Sequence, residues 1–325
     1  MNHSNKILDK HQGHFKRIDE SLKEVLSSKV PLIEEIVAHT LSGRGKRLRP
    51  LFFVLSCEIC DYHGEDVYPL STIFECIHDA SLLHDDVLDN ADVRRKKPSA
   101  NNLWGNYSAV LVGDYIFSKS SAVAFAANDF KFLKKIIEST TLMTEGQIYE
   151  FMHTGDWKTS REEYMEIISA KTAALISAAC ACGALVSDAD EEKVKCLGQF
   201  GRNVGISFQL IDDLLDYTSS QEVFGKPVGK DFQEGKITLP LIYSLPRFDS
   251  TERRYVEELL NSGEWTQEEA LEVVDLVRKT GCLQDIRDEA RAFGEKAEQN
   301  LKEFPDSPAK KNLIELKQYV IDRDF

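Results

Sequence analysis

The chain predicts an all-α fold, on three observations. Its 325 residues hold nine prolines, none of them between Pro98 and Pro227, so helices across that span meet no residue that lacks a backbone donor. Apolar residues recur at helical spacing, as at Leu70, Ile73, Phe74 and Ile77, which is one face of a helix. No stretch alternates β-branched and polar residues between turn signals, the pattern of a half-buried strand. Taken in order, helical periods cover roughly 5–27, 46–62, 105–127, 131–154, 161–183, 190–217 and 266–302. Thr159-Ser160 ahead of REEYMEII, and Thr266 ahead of Glu268-Glu269, supply N-terminal caps for two of them. Turn clusters at Ser187-Asp188-Ala189-Asp190 and Phe304-Pro305-Asp306 separate segments. With no low-complexity linker or compositional break, one domain spanning 1–325 is expected.

Composition narrows the function classes. Fifty-four acidic residues against 40 basic give a net charge of −14 at pH 7, which argues against sequence-independent nucleic-acid binding. Anionic small molecules stay open as ligands, because local charge can oppose the global sign. No apolar run approaches the roughly 20 residues of a membrane span. The first twenty residues lack the apolar core of a signal peptide, so a cytoplasmic location is expected. Seven cysteines, an odd number set among apolar neighbours, fit reduced buried thiols. Cys57-x-x-Cys60 sits inside LFFVLSCEIC with no second pair at zinc spacing; core packing is expected there.

Two matched acidic elements stand out: LLHDDVLDNADVRR (82–95) and QLIDDLLDYTSS (209–220). Each sets carboxylates at i, i+1 and i+4, namely Asp85, Asp86, Asp89 and Asp212, Asp213, Asp216. On a helix, i and i+4 share a face one turn apart, where they suit a hard divalent cation that also takes water and phosphate oxygens. Chance would produce two such motifs in about one chain in a hundred of this composition. Both are flanked by leucine and isoleucine, where unpaired carboxylates would be costly. A purely solvated acidic face is therefore the weaker interpretation.

Basic islands oppose the overall charge beside these triads. Gly43–Pro50 carries Arg44, Lys46, Arg47 and Arg49, while Arg94-Arg95-Lys96-Lys97 follows the first triad directly. Gly225-Lys226-Pro227-Val228-Gly229-Lys230-Asp231 and Gly235-Lys236 follow the second. Arginine forks and mobile lysines are the side chains that hold phosphate oxygens. Lys171-Thr172 lies in an otherwise small and apolar helix, SAKTAALISAA, and His78 lies two helical turns before Asp85.

Six ordered motifs, GKRLRP, HDxxLLHDDVLDxxxxRR, GD(Y)I, KT, FQLIDDLLDY and GKPxGxDxxxGKxTLP, resemble the trans-isoprenyl diphosphate (polyprenyl) synthases from about residue 40 to 245. The resemblance implies the isoprenoid synthase fold, with helices around a deep central cavity, usually as a homodimer. It implies Mg²⁺-dependent head-to-tail addition of isopentenyl diphosphate to an allylic diphosphate such as farnesyl or geranylgeranyl diphosphate. On this chain it assigns all six triad aspartates to Mg²⁺. Arg94, Lys171 and Lys226, with Lys236, fall to the allylic diphosphate. Lys46, Arg49, His78 and Arg95 fall to isopentenyl diphosphate, and Thr172 and Gln209 to the reacting centre. Arg44 stands where the family more often has a second glycine, and Lys230 where it usually has a small or acidic residue.

Positions four and five before Asp85 are Ser81 and Ala80, one turn along the helix. A turn advances about 5.4 Å, close to one isoprene unit. In short-chain members of the resembled family aromatics there floor the cavity; here the residues are small, and Ile77 another turn on is not aromatic. Phe74 and Phe117 are candidate walls further down. The expectation is a long-chain product of about C30–C50, octaprenyl in the first instance, for quinone side chains. A short-chain farnesyl or geranylgeranyl synthase and a non-catalytic partner subunit are the alternatives. A terpene cyclase would lack GKRLRP and the second aspartate triad. Peripheral membrane contact would suit release of so apolar a product.

Overall fold

The computed structural model describes residues 3–43, 45–218 and 229–322. It is 78% helical with about 1% strand, so the predicted all-α class holds. Two compact units form, one from Met1–Thr140, Leu175–Gly201 and Leu301–Glu315, the other from Thr141–Ala174, Arg202–Asn300 and Leu316–Phe325. The chain enters each unit three times.

The first unit contains α1 (His3–Lys10), α2 (Gln12–Val25), α3 (Pro31–Ser42), α4 (Leu48–Ile59), α5 (Val67–Leu88) and α6 (Ala100–Ala126). It also takes the start of α7 (Phe130–Met152), most of α9 (Ala174–Val186) and the first turns of α10 (Glu191–Thr218). Helix α5 is its centre: α2, α4 and α6 all pack on it. Leu70, Ile73, Phe74 and Ile77 are buried as their spacing predicts, yet Ser71, Thr72, Glu75, Cys76 and Asp79 on the other faces are buried too. A helix covered on every side is a core element rather than an amphipathic one. Phe53 meets Phe74 and Phe132 at centroid distances of 5.3 and 6.4 Å, within the range of favourable ring pairs.

The second unit contains the rest of α7 and α10, α8 (Arg161–Ile168), a π turn (Ser169–Ala173), α11 (Lys230–Gln233) and α12 (Leu239–Ser244). It continues through α13 (Ser250–Ser262), α14 (Gln267–Lys279) and α15 (Cys282–Gln299) and takes part of α16 (Pro308–Ile321). Its core joins Leu210, Leu214 and Tyr217 of α10 to Phe232, Val256, Val273 and Ile286.

Several boundaries differ from the sequence pattern. The 5–27 period is broken at His11, and 266–302 is cut by Gly281, whose φ of 73° is the left-handed region that a residue with a Cβ avoids. Helix α6 begins earlier than expected and is kinked at Gly105. The Ala100–Ala126 and Arg161–Val186 helices are long and apolar enough to cross a membrane, with 33% and 67% of the apolar window buried. The sequence expectation missed them because small polar residues interrupt their apolar runs. Cys57, Cys76, Cys180, Cys182 and Cys282 are buried free thiols, and burial pushes Cys57 well above the usual thiol range, as core packing requires.

The predicted caps are present. Ser160 and Thr266 each form a capping box with the glutamate three residues on, Glu163 and Glu269. Thr266→Ala is expected to cost about 1 kcal/mol and lower the melting midpoint by about 2 °C. An unchanged calorimetric midpoint would show that the box contributes nothing.

Candidate active site

Each unit carries one acidic turn, and in both the middle aspartate faces an internal partner. The first occupies the last turn of α5, where Asp89 is the C-cap and its N–H bonds the Asp85 carbonyl. Asp85 is half-buried and Asp89 exposed, whereas Asp86 is buried. Asp86 Oδ1 accepts from Arg94 Nε at 2.7 Å and lies 2.5 Å from Arg94 Nη2. Arg94 ends β1 (Val93–Arg94), which pairs antiparallel with β2 (Lys97–Pro98). The turn between them, Arg95-Lys96, has φ of 52° and 65°, a tight hairpin geometry that glycine and asparagine usually take.

Lys46 and Arg49 flank the N-cap of α4 and are half-buried. His78 is half-buried on α5. Burial pushes its imidazole well below the ordinary value, and the charges of Arg49, Arg95, Arg94 and Arg47 add to the shift. His78 is therefore a neutral donor or acceptor among cations at pH 7. Of the four residues expected at one anion subsite, the structure brings Arg49 and Arg95 into the field of His78.

The second acidic turn lies on α10. Tyr164 donates its hydroxyl to Asp213 Oδ2 at 2.5 Å, and Gln209 Nε2 donates to Oδ1 at 2.7 Å. Thr172 in turn donates to Gln209 Oε1 at 2.8 Å. Thr172, Gln209, Asp213 and Tyr164 thus form one hydrogen-bonded chain. Lys171 and Thr172 come from the π turn, a widened turn of the kind that collects at functional sites. Lys171 Nζ pairs with Glu150 Oε2 at 2.5 Å. Asp216 accepts from the backbone N–H groups of Lys230 and Asp231 at 3.2 and 3.0 Å, so it ties the start of α11 to α10. Lys230 and Lys236 both pair with Glu234. Lys226 and Arg44 lie outside the described residues.

Acidic charge is concentrated in this second cluster. Burial pushes the Asp213 carboxyl up to about 7, against the hydrogen bonds from Tyr164 and Gln209 and with help from Asp212 and Asp216. Asp231 is held well above the usual carboxylate range by burial and by Asp216 and Asp213. Among the described residues, no three acidic, histidine or cysteine side chains gather closely enough to ligate one ion. Within each unit the middle aspartate is already engaged, Asp86 by Arg94 and Asp213 by Tyr164 and Gln209. The donor chemistry nevertheless fits a divalent cation. Asp85 with Asp89, and Asp212 with Asp216, are oxygen donors one turn apart and none is fully buried, the mix of carboxylate and solvent that Mg²⁺ prefers.

Tyr164, Glu150, Glu75 and Asp79 escaped the sequence reading, because each meets its partner across a long stretch of chain; Glu234, which pairs locally with Lys230 and Lys236, lies at an unspecified position of the GKPxGxDxxxGKxTLP motif. Asp231 was visible inside GKPxGxDxxxGKxTLP but carried no assigned role. Of the chain-length positions, Ala80 and Ile77 are buried and Ser81 is half-buried. Phe74 packs on Phe53 in the core, while Phe117 is 42% exposed.

Comparison with known proteins gives the same assignment. The polyprenyl synthetase family matches residues 30–277. Octaprenyl diphosphate synthase of Escherichia coli is 35% identical over 308 residues, covering 94% of this chain and 95% of that protein. Heptaprenyl diphosphate synthase component 2 of Bacillus subtilis is 34% identical, covering 95% and 87%. The crystal structure of a polyprenyl synthase from Caulobacter crescentus, complexed with calcium and isoprenyl diphosphate, superimposes with a TM-score of 0.94 at 32% identity over 98% of both chains. With carboxylate turns and fixed cations in both units and relatives matched along nearly the whole chain, this protein belongs to the polyprenyl synthetase family and is a prenyltransferase.

Proposed function

We propose that the chain, acting as a single domain over 1–325, is a long-chain trans-polyprenyl diphosphate synthase. It adds isopentenyl diphosphate repeatedly to farnesyl or geranylgeranyl diphosphate and yields a product of about C30–C50, octaprenyl in the first instance, for quinone side chains. The reading rests most directly on the acidic turn in each unit and the partner that fixes it: Asp86 held by Arg94 between Asp85 and Asp89, and Asp213 held by Tyr164 and Gln209 between Asp212 and Asp216. Mg²⁺ bound by these carboxylates, with Asp86 and Asp213 completing the two triads, would neutralise the diphosphate and make it a better leaving group.

The residues then divide the work. Lys171, Arg94 and Lys236, with Lys226, take the diphosphate of the allylic substrate and its departing negative charge. Its carbon–oxygen bond breaks with the electron pair going to pyrophosphate. Lys46, Arg49, His78 and Arg95 hold isopentenyl diphosphate so that its double bond attacks the allylic carbon, and a proton leaves to the released pyrophosphate. Thr172 and Gln209 face the reacting carbons, where excluding water prevents quenching of the cation.

A homodimer in the cytoplasm is the proposed form. Tyr107, Leu111 and Phe125 of α6 are 88%, 63% and 75% exposed, an apolar surface that a second copy would cover. A heteromeric partner is the alternative, since one relative is named as a component. Purified protein is to be incubated with Mg²⁺, labelled isopentenyl diphosphate and farnesyl diphosphate, and the products separated by chromatography. Long-chain elongation supports the proposal. Absence of any elongation by the protein alone would favour the partner-subunit alternative, and accumulation of C15–C20 products a short-chain enzyme.

A further inference from the structure

Arg47 belongs to the basic island but does not face outward with it. The residue is 6% exposed, and its φ of 47° places a non-glycine residue in the left-handed region at the N-cap of α4. Its guanidinium donates to Asp19 Oδ1 at 3.1 Å, to Glu75 Oε1 at 2.6 Å and to the Leu41 carbonyl at 3.1 Å. One side chain thus ties α2, α3 and α5 to the start of α4. Asp79, one turn beyond Glu75, is 1% exposed and lies 3.6 Å from Arg47 Nη1. Among the described residues, neither of its carboxylate oxygens accepts a hydrogen bond. A buried carboxyl left this way is costly, and burial together with Glu75 pushes it up to about 7 despite Arg47, Arg95 and Arg49.

The cations explain why that cost is tolerated. A Cβ on Gly45 would stand 3.0 Å from Arg95 Nη1 and 3.2 Å from both Arg47 Nη1 and Glu75 Oε1, so two guanidinium groups crowd one glycine. Arg95 is itself in a left-handed turn. Strained backbone at two neighbouring arginines persists only where the surroundings enforce it. Like charges at this spacing repel unless a counter-charge lies between or behind them.

We propose that Glu75 and Asp79 are positioning residues of the isopentenyl diphosphate subsite: a buried carboxylate pair that retains Arg47 inside the protein and lets Arg49 and Arg95 converge on one anion. The inference rests on the assignment of Lys46, Arg49, His78 and Arg95 to that subsite. The carboxylates touch no substrate and act through the arginines.

Steady-state kinetics of Asp79→Asn, Glu75→Gln, Asp79→Glu and Arg49→Ala, with thermal unfolding of each, test it. Asp79→Asn is expected to raise the KM for isopentenyl diphosphate about tenfold while the allylic KM stays within about twofold. Its melting midpoint should be unchanged or higher, because a neutral amide replaces a strained buried carboxyl. Glu75→Gln should act in the same direction, and Asp79→Glu should restore most of the affinity. A purely structural role would instead lower the midpoint and move both KM values together. An isopentenyl KM unchanged or lowered in Asp79→Asn, or loss of folding in that variant, overturns the inference. If Arg49→Ala also leaves that KM unchanged, the subsite assignment itself is wrong.

Discussion

Asp212→Asn is expected to lower kcat on the order of 10²–10³-fold with no change in the thermal midpoint, whereas Asp213→Asn should damage activity and stability together. The two neighbours differ in burial. Asp212 is half-buried and lies on the accessible side of the acidic turn. Asn in its place keeps the shape and removes the charge that a cation and a diphosphate require. Asp213 is buried with both oxygens accepting, from Tyr164 and from Gln209. Asparagine offers one acceptor oxygen, so one of those two donors is left unsatisfied. Such a loss costs about 1–3 kcal/mol, and the chain onward to Thr172 through Gln209 loses its anchor. Activity should fall about 10–100-fold as well. Both variants are to be assayed at saturating substrate across a Mg²⁺ titration, with melting curves alongside. Asp212→Asn should require more Mg²⁺ for half-maximal rate. Equal midpoints with equal losses of kcat would remove the distinction between the two aspartates.

That distinction was not visible in the pattern DDxxD. Helical geometry alone puts i and i+4 on one face, which groups Asp85 with Asp89 and Asp212 with Asp216. It treats the middle residue like its neighbours, because nothing local reveals Tyr164, 49 positions away in the chain, or Arg94 folding back across a hairpin. The same limit explains the helix boundaries. Ser160 and Thr266 were legible as caps, since a capping box is written within four residues. The π turn at Ser169–Ala173 was not, because a widened turn is set by packing and leaves apolar periodicity almost intact. Arg47 shows the difference most sharply. In sequence it is one of four cations in a basic island; in the fold it is a buried clasp, and Asp19, the Leu41 carbonyl and Glu75, each on a different helix, make it so.

Ser81→Phe should convert the product from about C30–C50 to about C15–C20 while initial condensation continues. Ser81 stands four residues before Asp85 on α5, one turn and about 6 Å along the helix axis. Its hydroxyl is spent within the helix, donating to the His78 carbonyl at 2.8 Å. Removing it therefore leaves no distant donor or acceptor unpaired. The side chain is half-buried, so a phenyl ring has an accessible direction in which to extend. Ala80 is the poorer probe: at 2% exposure, a ring there must displace packed neighbours at about 1–3 kcal/mol, and shortening would be confounded by instability. Ile77 supplies the graded control. It lies one turn farther from Asp85, so Ile77→Phe should stop growth about one isoprene unit later than Ser81→Phe does. Chromatography of products from equal turnovers distinguishes the outcomes. A ladder whose steps follow the helical rise means the chain grows along this face of α5. Identical lengths from wild type, Ser81→Phe and Ile77→Phe would mean that product length is set elsewhere.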